Sequence, residues 1–544
     1  MVVILLSTIF ILPILMGWGD LFQKFTGSFI QGISGKALLG ILGISLFWTI
    51  LAFFIPLNIY AEIPVILAGL FFFFRNSVFR QLHLFKAGDY QLLLFIALII
   101  SFCGSFYPYV LDHFGYYVPT IKWLTEFGLV RGISNVDLTL GQMSVWHIFQ
   151  SGFSNFSDPF LRMNSVLLIV YALYITENKS WIHLCFIPVL LLFSQSPSPD
   201  LPVIVFSLIL LNEILTQNKN TAVLFAFSVF VFTIKPTMIW LPVLGLLYAV
   251  FIIRSDLKTL IPGILIGLLF FIKNIYTFGY PVFPVALGDL GISWQPAHEV
   301  LQMSSQYAIQ KTYDMQYSYQ EIQSFPFWDY IRNWLFLEGI KSKINIFFII
   351  SLGAFTVYSL KKKRRIYTFI LVSILIKSIL VLMFSAQYRF FLDVFFVIFF
   401  IVFIDCFNRK KSVAVCAVLS SVFIAFLTAP TILQTYVPSF NLGNFMGKFE
   451  KEQLYRPSTY HYNSFQSYRI GNFKFNVSKK YPYSFDTPLP AVSESYLSDH
   501  IKAGIFPQMT DKKDLSKGFI WKKLNAKEKK EAERVIRSVK NAYQ

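Results

Sequence analysis

Long apolar stretches alternate with short polar ones over most of the chain. A helix needs about 20 mostly apolar residues to cross the hydrocarbon layer of a membrane. By this criterion the pattern predicts about 14 membrane-spanning helices, centred near residues 10, 46, 67, 98, 169, 187, 208, 227, 246, 266, 351, 375, 398 and 422. Residues 1–432 are therefore expected to form an all-α polytopic membrane domain.

The polar gaps between these stretches differ in charge and in length. Short loops rich in Lys and Arg favour the cytoplasmic side of a membrane. Three such clusters occur, and 14 spans place them on the same side; they are Arg75, Arg80 and Lys86, then Lys361–Arg365, then Arg409–Lys411. The opposite, extracytoplasmic side then carries the loops 109–160 and 273–342 and everything after about residue 433.

Residues 433–544 have a different composition, rich in Tyr, Ser, Asn and Lys. The short alternating runs 468–470 and 473–477 predict β-strands. Apolar residues near the end recur with the spacing of one helix face and predict an amphipathic helix; they are Ala532, Val535, Ile536 and Val539. We expect a small mixed α/β extracytoplasmic module whose last helix packs on the module or lies on the membrane surface.

Composition excludes several classes of protein. Hydrophobic residues make up 55% of the 544 residues, charged residues only 14%, and the mean hydropathy is +0.58. A water-soluble enzyme or a nucleic-acid-binding domain cannot bury so much apolar surface, so the net charge of +18 does not indicate nucleic acid. The four cysteines lie in or beside apolar stretches without CxxC spacing, which supports neither a disulfide framework nor a cysteine metal site.

Asp112 opens the first long loop directly after an apolar stretch. A carboxylate at that depth costs desolvation free energy unless it faces water or a polar cavity, so Asp112 is a candidate site residue. Such a carboxylate can accept the proton of an incoming hydroxyl as a general base. The alternative is that Asp112 caps the following helix, because Asp is a preferred N-cap residue.

Asp200 is a second acidic candidate, in a short turn after Pro199. Paired carboxylates can divide acid and base roles or hold a divalent cation, but no D-x-D accompanies Asp112, so metal dependence stays open and no metal ligand is assigned. Asp200 can equally be an N-cap. Three cations at predicted outer helix ends can converge on a phosphate or can simply extend to the interface; they are Lys235, Lys273 and Arg389, the last with Asp393 as a possible partner.

The loop after Asp112 resembles the GT-C superfamily of polytopic glycosyltransferases, because an aromatic-rich helix ending in Lys122 and Trp123 follows the Asp. It resembles more closely a bacterial family of GT-C-like membrane proteins, whose pattern is matched by Asp112, Tyr116, Trp123, Gly132, Asn135, Gly141 and Trp146. Tyr117 stands where that family has histidine. Further matching stretches are 196–200, 273–284, 388–390 and 486–490.

The resemblance implies an integral membrane glycosyltransferase of the bacterial inner membrane with an extracytoplasmic active face. It would transfer a sugar from a polyprenyl-phosphate donor, with inversion, to a glycan, lipid or protein acceptor. Asp112 and Asp200 are the expected catalytic residues, and Lys235, Lys273 and Arg389 are expected to bind the donor phosphate. The expected substrate-binding residues are Tyr116, Tyr117, Lys122, Trp123, Asn135 and Asn274.

Two other functions fit the same pattern. A polysaccharide polymerase or ligase also has many spans and a long outside loop, and arginines in the loop 273–342 would favour it; that loop holds only Arg332. A transporter or assembly factor would need no catalytic residue. Charges paired across central helices would favour transport, and the sequence places few ionisable residues inside the predicted spans.

Overall fold

The computed structural model describes residues 1–286, 288–431, 435, 449–460, 464–479 and 481–543. Helices make up 69% of it. The α-helices before the C-terminal region are α1 (Val2–Thr26), α2 (Ile33–Leu51), α3 (Ile59–Arg75), α4 (Ala87–Gly104), α5 (Val118–Phe127), α6 (Val145–Gly152), α7 (Met163–Asn178), α8 (Ile187–Leu190), α9 (Asp200–Leu215), α10 (Thr221–Ile234), α11 (Trp240–Leu247), α12 (Ile261–Phe278), α13 (His298–Thr312), α14 (Tyr319–Gln323), α15 (Phe327–Leu335), α16 (Ile340–Lys362), α17 (Arg365–Phe384), α18 (Leu392–Phe403) and α19 (Arg409–Thr428).

Eight helical stretches of the described chain are long and apolar enough to cross a membrane, and two shorter apolar helices, α10 and α18, accompany them. The eight are Val2–Thr26, Ile33–Leu51, Ala87–Gly104, Pro236–Ile253, Leu257–Phe278, Ile340–Lys362, Arg365–Phe384 and Arg409–Thr428. The helical, apolar character predicted from the sequence is confirmed. The predicted number of 14 spans is not.

The other four predicted centres, near residues 67, 169, 187 and 208, fall on shorter elements. The first, second and fourth lie on α3, α7 and α9, of 17, 16 and 16 residues. Residues 163–176 of α7 are buried throughout, so this helix is surrounded by protein. The third centre lies on a stretch that changes from 3₁₀ to α to 3₁₀ geometry around Pro188, whose ring and missing N–H disfavour a continuous helix.

The first three helices pack at very short distances through glycine. A Cβ on Gly40 of α2 would lie 1.9 Å from the Leu15 carbonyl oxygen, and a Cβ on Gly17 would lie 1.9 Å from the Gly69 carbonyl oxygen. Only glycine permits such backbone contact, and close contact through small residues is a main source of helix association in membranes. In the most apolar 18-residue window of α2, 78% of the residues are buried. The corresponding share is 28% in α4, α16 and α19, whose exposed apolar side chains suit contact with lipid.

The C-terminal region contains two small antiparallel hairpins and two helices. The strands are β1 (Phe465–Ile470) paired with β2 (Phe473–Ser478), and β3 (Ile505–Met509) paired with β4 (Phe519–Lys523). Both predicted strands lie in the first hairpin, in which Gly471, with φ of +62°, forms the turn. The helices are α20 (Glu494–Lys502) and α21 (Ala526–Tyr543).

The amphipathic helix predicted near the end is α21. Its Ala532, Val535 and Val539 are buried, and the helix packs against α20 and β1. Of the two placements left open by the sequence, the structure therefore has the helix packed on its own module. The predicted start of this module at residue 433 lies outside the described residues.

The C-terminal region packs directly onto the first long loop. The Phe519 backbone N–H donates to the Arg131 carbonyl oxygen at 2.9 Å, and the Ser493 hydroxyl donates to the buried Asp137 carboxylate at 3.0 Å. At the start of α1, the Val3 N–H donates to the Tyr455 carbonyl oxygen at 3.0 Å. The loop, the C-terminal region and the start of α1 thus lie at one end of the helical body, which we call the loop end.

Candidate functional site

Asp112 and Arg389 form an ion pair at the loop end, from positions 277 residues apart in sequence. Arg389 Nη1 donates to Asp112 Oδ2 at 2.8 Å, and about a third of each side chain is exposed, 33% for Asp112 and 36% for Arg389. Asp112 makes no capping hydrogen bond to the helix that follows it. The carboxylate is therefore committed to Arg389 and not to a helix N-terminus.

Arg389 has a further donor besides the one that binds Asp112. Its Nε is buried and has no hydrogen-bond partner within the described part of the chain. A buried guanidinium N–H without an acceptor costs free energy, and such a group suits an oxygen-rich ligand. Arginine binds phosphate or carboxylate oxygens through two parallel N–H groups, so this edge of Arg389 can receive an anion.

Asp200 and Lys235 form a second ion pair next to the first. Lys235 Nζ also donates to the Arg389 carbonyl oxygen at 3.2 Å and lies 5.3 Å from the centre of the Phe390 ring. This hydrogen bond joins the two pairs into one unit, which we call the charged cluster: Asp112, Asp200, Lys235 and Arg389. The cluster brings the end of α10, the start of α9, the loop after α4 and the turn before α18 to one place.

The ends of the secondary-structure elements explain why these side chains meet. Asp200 is the first residue of α9, where a negative charge is favoured by the partial positive charge of the helix N-terminus. Lys235 directly follows the last residue of α10 and precedes Pro236, so the helix must stop there. Arg389 lies in the 3₁₀ turn Tyr388–Phe390 between α17 and α18. Asp200, Lys235 and Arg389 therefore all lie at or next to the end of a helix.

The chain directly after Asp112 has unusual backbone geometry. Residues 113–117 form a π-helix that runs into α5, and π-helical turns are frequent at functional sites because they widen one face of a helix. Tyr116 and Tyr117 in this turn are buried, with ring centres 4.6 Å apart. Burial raises the pKa of both hydroxyls, and the Asp112 charge raises it further, so both stay protonated and can donate hydrogen bonds.

The cluster fixes the charge state of its members. Burial by itself raises the pKa of Asp200, but Lys235 and then Arg389 lower it more, and the result lies below the ordinary value. Burial lowers the pKa of Arg389, whereas Asp112 and Asp200 raise it above its ordinary value. Asp200 is thus a carboxylate and Arg389 a cation at neutral pH, which suits binding and positioning better than proton transfer by Asp200.

Two residues near the cluster, Lys311 and Lys377, were not predicted from the sequence. Lys311 of α13 interacts electrostatically with both Arg389 and Asp112. Lys377 of α17 is completely buried and forms an ion pair with Asp393, whose other oxygen accepts from Trp240 Nε1 at 3.0 Å. Asp393 is therefore not the partner of Arg389 that its position suggested. A lysine inside an apolar run was the available sequence signal for this pair.

The described hydrogen bonds of Lys273 and Asn274 go to backbone carbonyls and not to the cluster. Lys273 is completely buried in α12, and its Nζ donates to the Met143 carbonyl oxygen at 3.0 Å. The amide of Asn274 donates to the Pro281 carbonyl oxygen at 2.8 Å. Both side chains contact backbone segments, and of the three cations predicted to bind a phosphate the described contacts join Lys235 and Arg389.

Three further predicted substrate-binding residues of the first loop contact the C-terminal region. Lys122 Nζ donates to the Asp486 carbonyl oxygen at 2.7 Å. The Asn135 amide donates to the Phe519 carbonyl oxygen at 3.4 Å and to that of Trp294, in the second long loop, at 2.9 Å. The Trp123 ring is completely buried, with its centre 5.8 Å from that of Phe519. In the described chain these three side chains connect neighbouring segments, and Tyr116 and Tyr117 of the predicted substrate-binding set interact electrostatically with Asp112 of the cluster.

The charged cluster consists of two ion pairs, Asp112 with Arg389 and Asp200 with Lys235. Each of its two carboxylates is bound by a basic side chain, and no group of three His, Cys, Asp or Glu residues in the described chain is arranged to hold a metal ion.

A separate polar cavity of about 450 Å³ lies at the other end of α1, lined in part by Asp20, Lys24 and Lys36. Because α1 starts at the loop end and runs for 25 residues, this cavity lies on the far side of the helical body.

The fold and the charged cluster define a class: a mostly helical protein, with eight described helical stretches long and apolar enough to cross a membrane and a polar site where loops meet the helix ends. Residues 1–396 match the family described as a domain of unknown function, DUF8201. The match covers well over half of the chain and all four residues of the charged cluster, so the protein belongs to this family. No curated protein and no solved structure matches the chain.

Proposed function

We propose that the protein is an integral membrane glycosyltransferase that transfers a sugar from a polyprenyl-phosphate donor to an acceptor hydroxyl on the extracytoplasmic side. The observation that carries the proposal is the pair of donors on Arg389: one N–H binds the Asp112 carboxylate, and the buried Nε has no hydrogen-bond partner in the described chain. A candidate base and a candidate phosphate-binding group are thereby held together. The resemblance of the loop after Asp112 to GT-C enzymes supports the same assignment.

The phosphate of the donor would be bound by two cations of the cluster. Arg389 supplies its free edge in a planar geometry that fits phosphate oxygens, and Lys235 supplies a point charge beside it. Asp200 holds Lys235 in position through their ion pair. Because these residues lie at helix ends, the polyprenyl chain can remain in the membrane while its headgroup reaches the site.

Asp112 would act as the general base. The proton of the acceptor hydroxyl moves to the Asp112 carboxylate as the hydroxyl oxygen forms a bond to the anomeric carbon. The bond between that carbon and the phosphate oxygen breaks, and its electron pair leaves with polyprenyl phosphate, whose charge Arg389 and Lys235 stabilise. Attack opposite the leaving phosphate inverts the anomeric configuration. The donor sugar and the acceptor class, whether glycan, lipid or protein, are not specified by these residues.

The test is turnover of a polyprenyl-phosphate monosaccharide by the purified protein in lipid nanodiscs containing an extract of bacterial envelope lipids and glycans as acceptors. Wild type is expected to consume the donor, and Asp112→Asn is expected to lose at least a hundredfold in rate because the general base is gone. Asn keeps the hydrogen bond to Arg389, so the fold is expected to persist.

Asp511→Asn is the matched control, because Asp511 is an exposed carboxylate of the C-terminal region. It is expected to turn over like wild type. Equal turnover by wild type and Asp112→Asn would contradict the role of Asp112. Failure of wild type to bind or consume any of several donor sugars would contradict the proposed function as a whole.

A second candidate function is transport, and one observation favours it. Lys377 and Asp393 form a buried ion pair between α17 and α18, and charges paired across neighbouring helices are typical of transport pathways. A transporter would move a labelled polyprenyl-linked or soluble sugar across sealed proteoliposomes without chemical change. The glycosyltransferase would instead release polyprenyl phosphate, so the product distinguishes the two.

A further inference from the structure

A patch of aromatic side chains from the C-terminal region lies directly beside the charged cluster. Phe114 and Phe485 are buried against each other, with ring centres 5.5 Å apart. Three half-buried tyrosines pack around them, and we call these three the tyrosine patch: Tyr460, Tyr481 and Tyr483.

Tyr483 is the member of the patch that reaches towards Asp112. Its Cδ1 lies 3.8 Å from the position that a Cβ on Gly115 would occupy. Gly115 follows Asp112 by three residues, so the backbone positions of the two lie within about one helical turn of each other. Burial raises the pKa of the Tyr483 hydroxyl and the Asp112 charge raises it further, which is independent support for their proximity.

Backbone contacts fix the segment that carries Tyr483. The Phe485 N–H donates to the Phe114 carbonyl oxygen at 3.0 Å. Lys122 Nζ donates to the carbonyl oxygens of Asp486 and Thr487, at 2.7 Å and 3.4 Å. Residues 485–487 are thereby attached to the helical stretch after Asp112, and Tyr483 is held two residues away from this attachment.

We propose that Tyr483 is the platform of a carbohydrate subsite, on which a pyranose ring stacks with its anomeric carbon towards Asp112 and Arg389. This inference rests on the proposed function and names the element that recognises the sugar. An aromatic ring offers a flat apolar face to the C–H groups of a pyranose, and the tyrosine hydroxyl can bind a sugar hydroxyl. Binding sites commonly combine such aromatic walls with a few charged groups that fix orientation.

The proposal assigns the lipid phosphate to the charged cluster and the sugar ring to Tyr483, so lipids with and without a sugar test it directly. The protein in nanodiscs is titrated with bare polyprenyl phosphate and, separately, with polyprenyl-phosphate glucose, galactose and mannose, and the Kd values are compared. Wild type is expected to bind at least one of the sugar-bearing lipids about tenfold more tightly than the bare lipid phosphate, which is the effect of one good aromatic contact.

Tyr483→Ala is expected to bind all four lipids with the Kd that wild type has for bare polyprenyl phosphate. Tyr483→Phe keeps the ring and is expected to retain most of the preference, which controls for a folding defect in the Ala variant. Lys122→Met loosens the attachment of residues 485–487 and is expected to reduce the preference without changing the Kd for the bare lipid phosphate. Tyr455→Ala removes a tyrosine that is 71% exposed and is expected to behave like wild type.

The outcomes separate this inference from the proposed function. Equal Kd values for the bare and sugar-bearing lipids in wild type would overturn the carbohydrate subsite and leave phosphate binding by the charged cluster intact. A preference that persists in Tyr483→Ala would place the sugar elsewhere and overturn the role of Tyr483. No binding of any of the four lipids by wild type would overturn the proposed function and the subsite together.

Discussion

Two ion pairs of this protein lie close in sequence but in very different surroundings. Arg389 and Asp393 are four residues apart, yet Arg389 pairs with Asp112 in a partly exposed position and Asp393 pairs with Lys377 in the interior. The side chains of the outer pair are 36% and 33% exposed. Those of the inner pair, Lys377 and Asp393, are 0% and 6% exposed.

The difference in burial separates two kinds of function. Solvent screens a partly exposed ion pair, which contributes about 1 kcal/mol to stability, so loss of the outer pair is expected to affect the fold little. A buried pair is strongly destabilising when broken, because the remaining charge has no counterion. We therefore expect substitutions at the outer pair to change ligand binding more than stability, and substitutions at the inner pair to do the reverse, and the variants below test that division.

The largest effect is expected from Lys377→Met. The change leaves the buried Asp393 carboxylate with Trp240 as its remaining donor, and the free energy of unfolding should fall by about 3–5 kcal/mol. Chemical unfolding in mixed micelles measures it. The double variant Lys377→Met with Asp393→Asn removes both charges and is expected to recover most of the loss; no difference between the single and double variants would show that the pair does not couple the two helices.

Asp137 is a buried carboxylate that, unlike Asp393, accepts its hydrogen bonds from uncharged hydroxyl groups. It accepts from the Thr139 hydroxyl at 2.6 Å and from the Ser493 hydroxyl at 3.0 Å, and burial raises its pKa to about 6. The native protein therefore binds more protons than the unfolded chain between about pH 4 and pH 6. At this residue, rising pH through that window costs stability, by up to about 3 kcal/mol.

Asp137→Asn cannot ionise and isolates this contribution. Its free energy of unfolding relative to wild type is expected to rise between pH 4 and pH 6 and to stay constant above pH 7. The measurement is chemical unfolding of both proteins in the same micelles at five or more pH values. A difference that is flat over the whole range would mean that Asp137 ionises in the folded protein as readily as in the unfolded chain.

The sequence predicted the elements whose contacts lie within a few residues. It did not predict contacts between segments that are far apart in the chain. Periodic apolar and alternating patterns predicted the membrane helices, the β1–β2 hairpin and α21, because these elements are set by contacts within a few residues. The number of spans could not be predicted reliably, because α7 and α9 are short and buried in protein, and burial in protein gives the same apolar pattern as exposure to lipid.

The site illustrates the same limit. The sequence predicted Asp112, Asp200, Lys235 and Arg389 as individual candidates, and all four lie in one cluster. It could not distinguish them from Lys273 and Lys122, which have the same charge and a similar position but donate to backbone carbonyls. Such pairings join residues more than a hundred positions apart, and no local pattern records which acceptor a lysine will find.

A smaller effect on stability is expected at the outer pair. Arg389→Lys keeps the charge but loses the planar pair of N–H groups, so unfolding should change by no more than about 1 kcal/mol. The Kd for polyprenyl phosphate should rise about tenfold, because one charge-assisted hydrogen bond is lost. Binding to nanodisc-embedded protein measures the second quantity. A destabilisation as large as that of Lys377→Met would contradict the division between the two pairs.

The smallest effect is expected from Arg409→Gln, which removes an ion pair at the opposite end of α18. Arg409 Nη2 lies 3.1 Å from Asp89 Oδ1, with side chains 45% and 18% exposed. The free energy of unfolding should fall by about 0.5 kcal/mol, and the difference should vanish in 1 M salt, which screens exposed charges. Polyprenyl-phosphate binding should not change, because Arg409 and Arg389 flank α18 at its two ends. If Arg409→Gln weakened lipid-phosphate binding as much as Arg389→Lys, the effect would come from overall charge, and the specific role of the outer pair would fail.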